Sequence, residues 1–248
     1  MKKNKQFGLI GKDIEYSFSR KYFSNKFSSS HKFSGYDYKN YDIQSLDQIK
    51  TLFKKDFDGL NVTIPYKEKI IKYLDSLTNE AKEIGAVNTI CFENGKKIGY
   101  NTDLFGFSES LKINNINNID NVLILGTGGA AKMIKFFCKK NKISFNIVSR
   151  QKSDNYLSYA DINCNSFSSN SLIVNCSPVG TYPNINQCPE IPYECLNKEN
   201  ILFDLVYNPS ETLFMKKGNE IGCKTLNGLD MLRFQAEMSW KLWTNSTK

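Results

Sequence analysis

The run Gly126-Thr-Gly-Gly-Ala-Ala131 follows directly on the apolar stretch Asn121-Val-Leu-Ile-Leu125 and leads into a segment of helical character. A G-x-G-x-x-A spacing between a strand and a helix suits a pyrophosphate. Gly126 permits the tight turn, Gly128 lets the backbone approach the phosphates, and Ala131 lets the helix pack closely on the sheet. The start of that helix then offers free N–H groups and the positive end of its dipole. The next strand ends Ile147-Val-Ser-Arg-Gln-Lys152. An NAD site usually carries Asp or Glu about 20 residues past the first glycine, on the ribose hydroxyls. No carboxylate stands here, and the Arg150 guanidinium can grip a 2′-phosphate bidentately. The pattern selects NADP over NAD, unless Arg150 and Lys152 are simply solvated surface charges.

Further polar residues cluster upstream. Ser17-Phe-Ser19, Asn61-Val-Thr-Ile-Pro-Tyr-Lys67, Gly85-Ala-Val-Asn-Thr89 and Gly99-Tyr-Asn-Thr-Asp103 are rich in small polar groups beside strand ends. Taken singly, each reads as caps and turns. Together they offer hydroxyls, an amide, one lysine and one carboxylate, a set able to clothe a polyhydroxylated acid. By itself, Lys67 reads equally as a charge on the surface of a helix opened by Pro65.

Alternating strands and helices must position these groups, which argues for an α/β architecture with largely parallel sheets. Strands are expected at 6–11, 57–63, 121–125, 144–149, 172–175 and 201–205. Helices are expected from Ser19 toward Ser28, after Pro65, from the glycine loop to about Asn141, and from Gly228 to Trp243. Asn94-Gly95 is a hairpin turn signal between residues 87–93 and 97–101.

The 248 residues, 40% hydrophobic and 23% charged, can build two small domains with separate cores. No apolar run is long enough to span a bilayer, and no apolar core follows the basic N-terminus, so a cytoplasmic protein with no membrane partner is expected. The seven cysteines include no Cys-x-x-Cys pair and there is one histidine, His31. Neither a metal site nor a disulfide framework is expected, and the thiols read as reduced. The net charge of +8 is spread along the chain without a basic block, so no nucleic-acid partner is expected. A positive field suits an anionic cofactor and a carboxylated substrate.

The motifs, in order, resemble the shikimate dehydrogenase family over nearly the whole chain. Gly8 to Ser19 is similar to its opening strand and Ser-x-Ser motif, and Gly59 to Lys67 to its lysine signature. Gly85-Ala-Val-Asn-Thr89, Asn101-Thr-Asp-Leu-Phe-Gly106, Asp204-Leu-Val-Tyr-Asn-Pro209 and Asn227 to Gln235 follow in the family's order. The resemblance implies a substrate-binding and catalytic domain of residues 1–101 plus 228–248, and a Rossmann-like NADP-binding domain of residues 102–227. It implies that Ser17 and Ser19 hold a substrate carboxylate, while Thr63, Asn88, Asp103, Tyr207 and Gln235 contact ring hydroxyls or the carbonyl beside Lys67. Lys67 and Asp103 would be catalytic. Gly126, Thr127, Gly128, Gly129 and Ala130 would cradle the pyrophosphate. Ser149, Arg150, Gln151 and Lys152 would surround the adenosine ribose, and Leu205 and Gly228 would border the nicotinamide.

The implied reaction is reversible reduction of 3-dehydroshikimate to shikimate by NADPH in aromatic amino acid biosynthesis, with the site in a cleft between the domains. Lys67 would serve as proton donor or electrostatic stabiliser, oriented by Asp103. The family's adenosine motif reads Asn-Arg-Thr, against Ser149-Arg150-Gln151 here, and Thr181 replaces a methionine near the nicotinamide. Activity on quinate, a non-catalytic regulator on the same fold, and a homodimer all remain open at this level.

Overall fold

The computed structural model describes residues 4–245 apart from Tyr16 and Lys152. The chain forms two units, residues 1–105 with 234–248, and residues 106–233. It passes from the first to the second inside one helix and returns inside another, α4 and α7 below.

The first unit contains β1 (Lys5–Gly11), α1 (Phe18–Ser28), β2 (Tyr36–Asp42), α2 (Ile49–Leu52), β3 (Gly59–Val62), β4 (Ser76–Leu77), α3 (Asn79–Ile84), β5 (Thr89–Glu93), β6 (Lys96–Tyr100) and the start of α4 (Asp103–Ile113). Its sheet runs β2-β1-β3-β5-β6-β4. β1 lies parallel to β2 and β3, while β5 is antiparallel to β3 and β6. Strand alternation sends Phe7 and Leu9 into one core with Phe23, Phe27 and Trp243, and Ile10 into another with Leu60, Ile70 and Ile90. The β5–β6 hairpin turns on Asn94 and Gly95, both at positive φ (50° and 75°), as the Asn-Gly signal requires.

The helix expected after Pro65 does not form. The chain turns there, with Tyr66 N donating to the Thr63 carbonyl at 2.9 Å, and only a 3₁₀ segment, Lys69–Tyr73, follows. The reason is tertiary: the Lys67 carbonyl accepts from Val87 N at 2.8 Å, which takes it out of any helical ladder. Lys67 therefore stands on a turn fastened to the strand-entry segment at Val87, not on a helix surface.

The second unit continues α4 and adds β7 (Asn121–Leu125), α5 (Gly129–Asn141), β8 (Ser144–Ser149), β9 (Leu157–Ser158), β10 (Ser171–Asn175), β11 (Ile201–Asp204), α6 (Leu213–Ile221), β12 (Lys224–Leu226) and the start of α7 (Leu229–Asn245). All six strands are parallel, in the order β12-β11-β10-β7-β8-β9. Counted from β7, that is the 3-2-1-4-5-6 arrangement of a doubly wound sheet, whose ligand crevice opens where the strand order reverses, at the carboxyl ends of β7 and β10. Leu123, Leu125, Val148, Ile173, Leu202 and Phe214 form its core.

One expectation about the cysteines is overturned. Cys164 and Cys195 are joined as a disulfide, with Cα atoms 4.9 Å apart across 31 residues of sequence. Each sits in a 3₁₀ turn shortly before one of the neighbouring parallel strands β10 and β11. Adjacent strands bring the two connections together, which no local cysteine spacing announces.

Gly59 lies beneath the α7 indole: a Cβ there would fall 2.3 Å from Trp243 Nε1, which itself donates to the Ile90 carbonyl at 3.1 Å. A rigid ring so anchored cannot step aside. Gly59→Ala is expected to destabilise the protein by about 1–3 kcal/mol, the usual cost of overpacking, read from the shift in a urea unfolding curve.

Candidate active site

Lys67 Nζ donates to Asp103 Oδ2 at 2.7 Å, with side chains 19% and 8% exposed. The turn after Pro65 supplies the lysine, and the first residue of α4 supplies the carboxylate. The other oxygen, Asp103 Oδ1, accepts from Asn88 Nδ2 at 2.9 Å. Asn88 cannot turn its amide over, because its Oδ1 accepts from the Thr102 backbone N–H at 2.7 Å. Asn88 Nδ2 also reaches Thr102 Oγ1 at 2.9 Å and Gln235 Oε1 at 3.3 Å. Four of the expected residues, Lys67, Asn88, Asp103 and Gln235, thus stand together in the first unit.

Below them lies a knot of hydroxyls. Ser239 Oγ meets Thr89 Oγ1 at 2.7 Å and Thr102 Oγ1 at 3.1 Å, accepts from Asn61 Nδ2 at 3.0 Å, and donates to the Gln235 carbonyl at 2.9 Å. Asn61 Oδ1 in turn accepts from the Tyr38 hydroxyl at 2.8 Å. Tyr38 is hydrogen-bonded to Ser19, and burial raises its phenol far above the ordinary range. A continuous chain of polar contacts therefore links Ser19 to Lys67. Ser17 caps α1, its Oγ accepting from Arg20 N at 3.3 Å. Thr63 is half-buried at the end of β3, its backbone N–H bonded to the Ile10 carbonyl at 2.8 Å.

In the second unit, Gly126 has φ 119°, and a Cβ on it would sit 3.2 Å from the Cys176 backbone. Gly128 begins the 13-residue α5 with no side-chain cap, and a Cβ on it would meet nothing within 4 Å. Thr127 and Gly128 are exposed, Gly129 and Ala130 half-buried, and Ala131 is packed against the core. The first turn of α5 thus begins at a glycine with open space beside it and no side-chain cap, so the residues present fit a dinucleotide. Ser149 closes β8 with its Oγ accepting from Gln151 N at 3.3 Å, and Arg150 and Gln151 are exposed beyond it. Lys152 lies outside the described residues. A Cβ on Gly228 would fall 2.3 Å from the Leu205 carbonyl oxygen, so only glycine lets these two backbones touch. Tyr207 also belongs to this unit, half-buried on the turn after β11. Among the described residues, no group of three or more His, Cys, Asp or Glu is placed to hold a metal.

Residues 9–90 match the family described as the shikimate dehydrogenase substrate binding domain. Over 96% of this chain and 90% of the relative, the sequence is 37% identical to the NADP(+) shikimate dehydrogenase of Methanococcus vannielii. The chain belongs to the shikimate dehydrogenase family. Among solved structures, shikimate dehydrogenase 1 of Peptoclostridium difficile is 36% identical with a TM-score of 0.83, covering 98% of this chain and 93% of that one. The shikimate 5-dehydrogenase of Thermus thermophilus, solved with NADP(H) and shikimate, is 28% identical with a TM-score of 0.84, covering 97% and 93%.

For this family member, sequence reasoning missed the lower layer: Asn61, Thr89, Thr102 and Ser239 were not singled out as site residues. Asn61, Thr89 and Thr102 stood inside those motifs, and alternation along β3 and β5 could have turned Asn61 and Thr89 inward, whereas Thr102 lies between β6 and α4. Ser239 sits four residues after Gln235 on α7, and that helical spacing was the available signal.

One buried carboxylate lies apart from this layer. Asp204, at the end of β11, is fully buried, and burial pushes its carboxyl up to about 6 against the hydrogen bonds of Thr212, Val206 and Asn175. Its folded value is raised above the ordinary 3.8, so the folded state holds the extra proton between about pH 4 and 6. The stability contributed by that proton is complete below about pH 4 and is lost as the pH rises through about 6. The parent should therefore lose about 2–3 kcal/mol across this window relative to Asp204→Asn, because each tenfold gain in proton affinity on folding is worth about 1.36 kcal/mol. Urea unfolding of both proteins at pH 4, 5, 6 and 7 measures it, and parallel curves would remove Asp204 from the balance.

Proposed function

We propose that this chain catalyses the reversible NADPH-dependent reduction of 3-dehydroshikimate to shikimate, in the route to aromatic amino acids. The observation that carries the proposal is the Lys67–Asp103 pair at 2.7 Å, held by Asn88 within a family-wide likeness that spans nearly the entire chain. When bound, the reduced nicotinamide supplies the hydride. The protein supplies geometry and a proton.

In this reading Lys67 presents an ammonium N–H to the substrate carbonyl and neutralises the negative charge that builds on that oxygen. Asp103 keeps the lysine aimed, and takes a ring hydroxyl. Asn88, Gln235, Thr63 and Tyr207 contact the remaining ring oxygens. Ser17 and Ser19 take the carboxylate. The buried Ser19–Tyr38–Asn61 contacts fix the direction in which that end of the site is built.

The residues assigned to the dinucleotide are Gly126 to Ala130 for the pyrophosphate, Ser149 to Lys152 for the adenosine ribose, and Leu205 with Gly228 for the nicotinamide end. Arg150 distinguishes the two nicotinamide cofactors. An exposed guanidinium beyond β8, with no carboxylate next to it in sequence, favours a 2′-phosphate over a bare ribose. Residues 1–101 with 228–248 then serve chiefly the substrate and residues 102–227 chiefly the cofactor, with Asp103, Tyr207 and Gly228 the exceptions.

A spectrophotometric assay with shikimate, supplied separately with NADP and NAD and repeated with quinate, tests the reading directly. Lys67→Ala is expected to lower kcat by roughly 100-fold or more, the span of general acid–base groups, while NADPH affinity stays within two-fold. A near-native kcat would take Lys67 out of the mechanism.

The parent should also prefer NADP by roughly 10- to 150-fold, since one charge-assisted contact contributes about 1.5–3 kcal/mol. Arg150→Ala should erase most of that preference and leave NAD use nearly unchanged. Steady-state kcat/KM for both cofactors decides; equal loss of both would reject the assignment.

A further inference from the structure

Asp204 is completely buried at the end of β11. Among the described residues no lysine or arginine forms an ion pair with this carboxylate. Neutral donors satisfy it instead. Oδ1 accepts from Asn175 Nδ2 at 2.9 Å and from Val206 N at 3.0 Å, and Oδ2 accepts from Thr212 Oγ1 at 2.6 Å. A buried charge without a counter-charge is costly and persists only where its hydrogen bonds are well made.

The donors come from three separate segments: the end of β10, the turn after β11, and the cap of α6. Asn175 carries the constraint further. Its Oδ1 accepts from Ser177 Oγ at 2.6 Å and Ser177 N at 3.1 Å, and its Nδ2 reaches the Val179 carbonyl at 3.1 Å. The loop after β10 is thereby fixed, and its Cys176 backbone is the surface on which Gly126 rests. On the other side, the Val206 carbonyl accepts from Gly228 N at 3.2 Å, beside the Leu205–Gly228 backbone contact. One carboxylate thus pins the backbone beyond β10 and β11, and through Cys176 the glycine turn after β7.

We propose that Asp204 is a positioning residue for the dinucleotide, setting the backbone on which the nicotinamide end of the cofactor lies. The inference rests on the NADP-dependent reading above. It differs from a merely structural role in what it moves: cofactor affinity falls well beyond affinity for the carboxylated substrate, whose contacts apart from Tyr207 lie in the first unit.

The test uses the full chain well below its unfolding temperature. NADPH binding is followed by fluorescence titration and shikimate KM by steady-state assay, for the parent, Asp204→Asn, Thr212→Val and Thr212→Ser. Asp204→Asn sets an amide N–H against a site built of donors, and should weaken NADPH binding by roughly ten-fold, the effect of about one well-made hydrogen bond to a charge. Its shikimate KM at saturating cofactor should stay within two-fold. Thr212→Val should weaken NADPH binding by roughly three-fold or more, and Thr212→Ser, which keeps the hydroxyl, should restore it. If Asp204→Asn does not fold, the Thr212 pair decides alone. Unchanged NADPH affinity in Asp204→Asn, equal loss of cofactor and substrate, or identical Thr212 variants would each overturn the inference. A parent that binds NADPH but does not turn over shikimate rejects the proposed reaction and leaves the NADPH titrations of Asp204→Asn and the Thr212 pair to decide the inference. A parent that binds no NADPH rejects both.

Discussion

The Asn88 amide has one accepting end and one donating end, and the backbone N–H of Thr102 decides which way they face. That N–H can only donate, so Asn88 Oδ1 must turn toward it and Nδ2 must turn toward Asp103. Asp103, already served on one oxygen, keeps the other for Lys67. Thr102 Oγ1 then closes on Thr89 and Ser239, and Ser239 ties α7 to the strands through Asn61. Each choice leaves the next group fewer options. A network in which every buried group is satisfied is rigid, whereas a partly satisfied one would be costlier than apolar packing.

The two buried carboxylates answer the same problem differently. Asp103 sits with a cation that remains partly exposed, so Lys67 can share its N–H groups with an arriving oxygen without leaving its partner. Asp204 is completely buried among neutral donors from three segments of one unit. The first arrangement suits a group that takes part in an exchange, and the second suits one that must hold still.

Much of this was legible beforehand, for definable reasons. The glycine loop, four of the second unit's six parallel strands (β7, β8, β10 and β11) and the Asn94-Gly95 hairpin were readable because each depends on local geometry or on a continuous apolar run. The turn around Lys67 was not, because Pro65 suits a helix start and only the distant Val87 N–H withdraws the Lys67 carbonyl. β2 escaped notice since Tyr36-Asp-Tyr-Lys-Asn-Tyr-Asp42 is polar and lies at a sheet edge, where burial leaves little imprint. The Cys164–Cys195 link depends on which strands are neighbours, a property of topology. The family motifs pointed to the upper layer of the candidate site, Lys67, Asn88, Asp103 and Gln235, but the hydroxyls beneath it look like ordinary serine and threonine.

The first unit is discontinuous, and its last pieces are Gln235, Ser239 and Trp243 on α7. Trp243 covers Gly59, and Ser239 supplies the acceptor that Asn61 and Thr89 share, more than 130 residues after the strands that need them. The second unit is one unbroken stretch. A ribosome releasing this chain from its N-terminus delivers every residue of the second unit before the helix that completes the first. Until then the early strands carry an unfilled groove where the indole belongs, and Asn61 and Thr89 lack the Ser239 hydroxyl they meet in the finished unit. The part made first is therefore the part that must wait, and the emerging chain has to keep those apolar edges from other partners until its final helix arrives.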